Sequence, residues 1–511
     1  MPLQAIMVTS LSKIIGLFCL LLVLLPSGVL GFYDVVEVST GKAMSQTVLS
    51  MQRQDSGMAD LALISVAKDG SRKIELYVAA DNYQAPKIER PLAEDVIFVD
   101  SGRYGNTDAL LLFSARQARI ININTGVESP VIEFSSIYNS PLYDSVPQIN
   151  VFKDLNNDGL DDFLIPTFDG YLVSVQLSSG EFSDPQLIPA RPLMDMSYNN
   201  HPWYQAANLF LVDMNLDGKA DICFWKEGDF IVYPQLDDGG FDTSPVTVRS
   251  QVSFDLDGID GISVRMQDED QSDRLTTVLH ELRDLDGDGI TDILTQAIRS
   301  KGVFNKKTTV AFHKGFAADN GFVRFDPTAS SVIQSKGFQY EMRSRDLNNN
   351  GEVDILISSV EIGVTKIIGA LLTNSVKIDL GFYEMKQGTY PKTADHVREI
   401  TAKFSLSTGE FWYPFVRVVD ANGDGLDDLL VQRGDDQVLV FVGDADKLFN
   451  KTPIKISAPM PKDPDFVSIS RLNGDEIEDV VLKIPPDISD SNGSHRIILL
   501  LSNHGGALRP N

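Results

Sequence analysis

The chain has 511 residues, 43% of them hydrophobic and 23% charged, enough apolar material for a large core. With 71 Asp and Glu against 44 Lys and Arg, its formal charge is −27, which argues against nucleic acid as a partner. Only two cysteines are present, which excludes a disulfide-stapled scaffold.

The N-terminus reads as a secretory signal, residues 1–31. Lys13 supplies a positive start, and residues 14–25 form an apolar run too short to cross a bilayer comfortably. Val29-Leu30-Gly31 sets small residues before a cleavage point at Phe32. The expected mature chain, 32–511, is secreted or periplasmic, monomeric and without a membrane span; an anchor that stays uncleaved is the alternative. Cleavage would leave Cys223 alone, inside an expected strand, with no cysteine to pair with.

A strand-like run at 33–38 opens the mature chain without an obvious partner. Two loose repeat units follow. Asp60-Leu61-Ala62-Leu63-Ile64 comes after Asp55-Ser56-Gly57, and Asp108-Ala109-Leu110-Leu111-Leu112 comes after Asp100 and Gly105.

Five sharper copies come next. Each nine-residue loop has a carboxylate or amide at positions 1, 3, 5 and 9 and a glycine at position 6. The side chains are Asp154, Asn156, Asp158 and Asp162; Asp213, Asn215, Asp217 and Asp221; Asp284, Asp286, Asp288 and Asp292; Asp346, Asn348, Asn350 and Asp354; and Asp420, Asn422, Asp424 and Asp428. Alternate residues of a tight loop point to one side, so these oxygens converge. Converging carboxylates repel one another unless a cation lies between them. An all-oxygen set suits a hard ion, calcium before magnesium, with the carbonyl of Ile290 able to add a further ligand in the densest loop. An EF-hand is excluded, because position 12 holds Ile165, Phe224, Thr295, Ile357 and Val431 rather than Glu, and the flanks read as strands. Carboxylates number four in the Asp284 loop, three in those at Asp154, Asp213 and Asp420, and two at Asp346, so the Asp346 site is expected to lose its ion first.

A last decayed unit ends the chain. Asp479-Val480-Val481-Leu482 follows Asn473 and Asp475, but Arg471 stands at position 1, where its guanidinium is expected to take the place of the cation.

Within each unit one strand enters the loop, a second leaves it, a third follows a short turn, and a weaker fourth precedes the next unit. Eight such units predict an all-β fold, a β-propeller of four-stranded blades, with eight blades favoured and seven the alternative. The last unit has only three strands, so the run at 33–38 is expected to complete its blade and close the ring.

These units resemble the FG-GAP (VCBS-type) repeats of integrin alpha-chain propellers and many secreted bacterial proteins. The resemblance implies calcium, about five ions, in loops joining the first and second strands of several blades. It adds backbone oxygens from Leu160, Lys219, Ile290, Glu352 and Leu426 to the ligand sets.

The six histidines show no metal-ligand spacing, and no nucleophile elbow or phosphate-cradling loop is present, so no catalytic residue is expected. The expected function is a calcium-binding module for a protein or carbohydrate partner. The alternative is a polysaccharide-active, lyase-like enzyme on the same scaffold. Aromatics precede several units: Tyr138 and Tyr143; Tyr198, Trp203 and Tyr204; Phe338 and Tyr340; and Phe411, Trp412 and Tyr413. Blade-to-blade connections emerge opposite the ion loops, so Tyr143, Trp203, Tyr204, Trp412 and Tyr413 are expected to form a ligand face there.

Overall fold

The computed structural model describes residues 32–502, apart from 53–57, 123–124, 139–140, 197–201, 258–273, 301–305, 335–337, 362–363, 406–410, 476 and 487–493. The signal segment and the Asp55-Ser56-Gly57 turn therefore lie outside the described residues.

The reason for the architecture is visible in the second strand of each unit. Ala59–Val66 is buried at all eight positions and Asp162–Pro166 at all five. A strand apolar on both faces must be covered on both faces, and here the neighbouring blades cover it. The outer strand Pro86–Pro91 instead alternates half-buried and exposed residues, as an edge facing water on one side should. Eight antiparallel sheets result, each with a core of four strands in up-and-down order. The chain forms an eight-bladed β-propeller, not the seven-bladed alternative.

Blades 1 and 2 begin at Ser45–Gln52 and Phe98–Tyr104. Blades 3 and 4 begin at Phe152–Lys153 and Phe210–Val212. Blades 5 to 8 begin at Arg274–Arg283, Phe338–Arg345, Val416–Val419 and Val467–Ser470. The fourth strand of blade 8 comes from the other end of the chain. Tyr33–Gly41 pairs antiparallel with His495–Ser502, Tyr33 opposite Ser502 and Val38 opposite Ile497.

Two blades carry additions. Leu256–Asp257 lies parallel against the inner strand of blade 5, and Phe411–Trp412 adds an outer strand to blade 6. Blade 6 also holds a helix, Val364–Thr373, between its second and third strands. No helix among the described residues is long and apolar enough to cross a membrane.

Up-and-down order sets the two ends of the ring. The links between first and second strands, which include the acidic loops, share one end. The blade-to-blade connections and the links between second and third strands share the other.

Candidate metal centres

The five acidic loops adopt one geometry. Positions 4 and 6 have positive φ in each: Asn157, Leu216, Gly287, Asn349 and Gly423 at the fourth, and Gly159, Gly218, Gly289, Gly351 and Gly425 at the sixth, where φ is 83 to 85°. Glycine at position 6 meets that left-handed requirement without strain.

The first carboxylate caps the loop. Its Oδ2 accepts the amide of the position-6 glycine at 2.9 Å in the Asp154 loop, 2.8 Å in the Asp213, Asp284 and Asp346 loops, and 3.0 Å in the Asp420 loop. Position 5 then fixes the peptide of position 7. Asp158, Asp217, Asp288, Asn350 and Asp424 accept the amides of Leu160, Lys219, Ile290, Glu352 and Leu426 at 2.7 to 2.9 Å. The side chains of Lys219 and Glu352 turn away, to Asp237 and to the amides of Gln387 and Gly388, so these two residues offer the loop only backbone.

Position 9 does more than the sequence pattern foretold. In each loop one oxygen of this aspartate accepts the amide of position 2, and the other accepts an amide just past the third strand. Asp162 bonds Leu155 and Gln176, Asp221 bonds Met214 and Gln235, and Asp292 bonds Leu285 and Gly315. Asp354 bonds Leu347 and Met385, and Asp428 bonds Ala421 and Gly443. The aspartate thus ties the loop to the body of its blade. Decayed units keep this tie: Asp479 accepts from Leu472 and Ser502, and Asp60 from Ala79.

Burial pushes the carboxyls of Asp162, Asp292, Asp354 and Asp428 up to about 7 and that of Asp221 to about 6, with other loop carboxylates adding repulsion. Unfolded, these groups titrate near ~4, so between about 4 and 7 the folded state holds more protons. Their contribution to stability is therefore present at low pH and lost as pH rises through about 7. In calcium-free buffer the melting temperature is expected to rise as pH falls from about 8 to about 5. A flat or opposite profile, followed by scanning calorimetry, would contradict the burial of these carboxylates.

The donor chemistry fits a cation. Asp284, Asp286 and Asp292 bring ligand oxygens within 4.8 Å of one another. Asp286 Oδ1 and Asn348 Oδ1, both at position 3, are buried with no hydrogen-bond donor. A buried acceptor left without a donor costs roughly 1–3 kcal/mol, which an ion at that point would offset.

Charge counting misses one group. The Lys314 ammonium, just beyond the third strand of blade 5, pairs with Asp286 and with Asp288 at 3.0 Å. The densest loop thus carries its own competitor. Lys314→Met is expected to tighten cation binding at the Asp284 loop by about tenfold, the size of one unit of electrostatic shift. Unchanged affinity in a calorimetric titration would show that the lysine moves aside freely.

Blade 8 differs from expectation. Arg471 is exposed, and its guanidinium does not fill the loop. Protein groups close it instead: Asn473 Nδ2 donates to Asp475 at 2.9 Å and to the Ser502 carbonyl at 2.7 Å, and the Ser502 hydroxyl donates to Asp475 at 2.8 Å. Blade 2 has no loop at all. Its first strand turns directly into Thr107–Phe113, and Asp100 lies within that strand, accepting the amides of Val151 and Phe152 from blade 3.

The aromatic face is divided. Tyr143 is 80% exposed. Tyr204 lies in the hairpin Pro202–Gln205 on the connection from blade 3 to blade 4, its ring edge-on to Phe168 at 4.9 Å. The Trp203 side chain lies outside the described residues. Trp412 belongs to the added strand of blade 6, and Tyr413 is half-buried against the core between blades 6 and 7. The two pairs lie on connections three blades apart, from blade 3 to blade 4 and from blade 6 to blade 7.

No family model matches the sequence, and no curated protein matches it. Among solved structures it is similar to the V. cholerae biofilm matrix protein Bap1, at 12% identity and TM-score 0.37 over 92% of this chain and 89% of that one. The WD40 domain of SCAP from fission yeast shares 12% identity at TM-score 0.36 over 92% of this chain and 98% of that one. A putative 6-phosphogluconolactonase from Bacteroides uniformis shares 12% at TM-score 0.30 over 79% and 95%. Likenesses this distant carry no argument about function.

Proposed function

We propose that this chain is a calcium-stabilised β-propeller of the FG-GAP type that presents a binding face to a protein or carbohydrate partner outside the cytoplasm. The observation that carries the metal is the five-fold repetition of one loop geometry, with unsatisfied oxygens at position 3 in two of the loops. The ions sit at one end of the ring and hold the blade edges in shape. The partner takes the other end, where blade connections expose side chains that no blade needs for its own core.

A glycan array probed with the calcium-loaded protein tests the binding role. Tyr204→Ala and Trp412→Ala, made separately, are expected to differ: one abolishes the array signal with melting unchanged, and the other leaves it intact. Loss of signal only in variants that also melt early would mean that these rings serve packing alone. Incubation with acidic polysaccharides is expected to produce no new ultraviolet absorbance. An increase would contradict the binding-module reading in favour of a lyase.

A further inference from the structure

At the seam between blades 3 and 4, among the blade-to-blade connections, lies a cavity of about 390 Å³, within the ~300–1,000 Å³ range of small-molecule sites. It is lined by the half-buried rings of Tyr138 and Tyr204, by the amides of Asn150 and Gln205, and by Lys153, with the buried Tyr171 at its wall. Each ring is held by its own neighbours. Tyr138 is edge-on to Phe98 at 5.3 Å, Tyr171 stacks on Phe224 at 5.7 Å, and Tyr204 is edge-on to Phe168 at 4.9 Å. The Tyr171 hydroxyl donates to the Ala207 carbonyl at 2.5 Å, pinning the connection from blade 3 to the wall of blade 3. Rings fixed in this way lose little freedom when a ligand arrives.

Lys153 is the anomaly. It ends the inner strand of blade 3 and is half-buried, yet among the described residues its ammonium makes no hydrogen bond or ion pair. The carboxylate that acts on it is Asp100, whose oxygens already accept from the amides of Ser101, Val151 and Phe152 and from Gln148 Nε2. In a chain of net charge −27, a partly desolvated cation left unpaired in a concave site is costly. A ligand that brings a carboxylate removes that cost.

We propose that this cavity binds a carboxylated sugar, a hexuronate residue free or within a glycan. The carboxylate pairs with Lys153, the apolar face of the sugar ring rests on Tyr138 and Tyr204, and hydroxyls bond to Asn150 and Gln205. Aromatic faces, amides and one cation together match a uronate better than a peptide terminus, which would leave the rings without a ring face to stack on. The inference rests on the reading of this chain as a binding module and names the ligand class of one site.

Calorimetric titration of the calcium-loaded protein with glucuronate, galacturonate, glucose, acetate, inorganic phosphate and a short peptide with a free C-terminal carboxylate tests it. At least one uronate is expected to bind about tenfold or more tighter than glucose. Lys153→Met is expected to remove that preference, Lys153→Arg to keep it, and Tyr204→Ala to weaken uronate by about tenfold. The comparison of uronate with glucose needs no variant, so it stands even if Lys153→Met fails to fold. Equal binding of uronate and glucose, acetate or phosphate binding as tightly as uronate, tighter binding of the peptide, or no uronate binding would each overturn the proposal. Calcium-dependent melting followed on the same sample separates the outcomes. If it persists while uronate fails, the ligand assignment falls and the calcium-stabilised scaffold stands.

Discussion

Removal of calcium from the purified protein is expected to lower its melting temperature by more than about 10 °C, and calcium returned in excess to restore it. An ion at a hundred times its dissociation constant adds about 2.7 kcal/mol per site, and five loops share the load. The local physics points the same way. Without ions the Asp284 loop holds four carboxylates in one turn, with Asp286 Oδ1 buried and unsatisfied. The position-9 aspartates are fully buried between a loop and a third strand, where charge is poorly solvated. These loops also join neighbours: the Thr291 hydroxyl donates to the Asp213 carbonyl, the Asp427 amide to the Leu347 carbonyl, and the Val353 amide to the Leu285 carbonyl. Loss of loop shape therefore loosens contacts between blades as well as within them. A protein that melts at the same temperature with chelator and with calcium would contradict the metal assignment as a whole.

Deletion of residues 33–41 is expected to give an insoluble or strongly destabilised product. The segment supplies the outer strand of blade 8, and Tyr33 and Val38 are buried at 5% and 2% exposure. Its loss leaves His495–Ser502 as an unpaired edge whose inner residues, Ile497 to Leu500, are fully buried in the intact ring. Exposed apolar edges of this kind pair with other chains. Further ties between the chain ends disappear with it, including the Tyr33 hydroxyl on the Glu478 carbonyl and the Thr40 hydroxyl on the His495 carbonyl. Solubility and thermal melting of the truncated chain measure the effect. A soluble product of unchanged stability would mean that the ring does not depend on this strand.

The blades were legible in the sequence because a strand covered on both faces needs a continuous apolar run, as residues 61–64 and 163–166 supply within Ala59–Val66 and Asp162–Pro166. Closure was legible from a count of strands, three in the last unit and one to spare at 33–38. Other features depend on contacts between distant residues, which no local pattern encodes. Lys314 reaches the Asp284 loop from 28 positions away. The second role of the position-9 aspartates lies in amides 14 to 31 residues further on. A local signal did exist for that role: Asp60 and Asp479 persist in units that lack the position-1 aspartate. The exposure of Arg471 was not legible, because the loop is closed by Asn473 meeting Ser502, 29 residues further on at the end of the third strand. The aromatic pairs looked alike in sequence, yet Tyr204 lies at the seam of blades 3 and 4, while Trp412 joins an added strand and Tyr413 a core.

The most direct measurement is the amount of calcium bound per chain, read by equilibrium dialysis with atomic emission. The loops predict about five ions per chain, falling by one for each loop whose position-1 aspartate is changed to alanine, as in Asp420→Ala. A protein that binds no calcium at millimolar concentration, or whose count ignores those substitutions, would contradict the account.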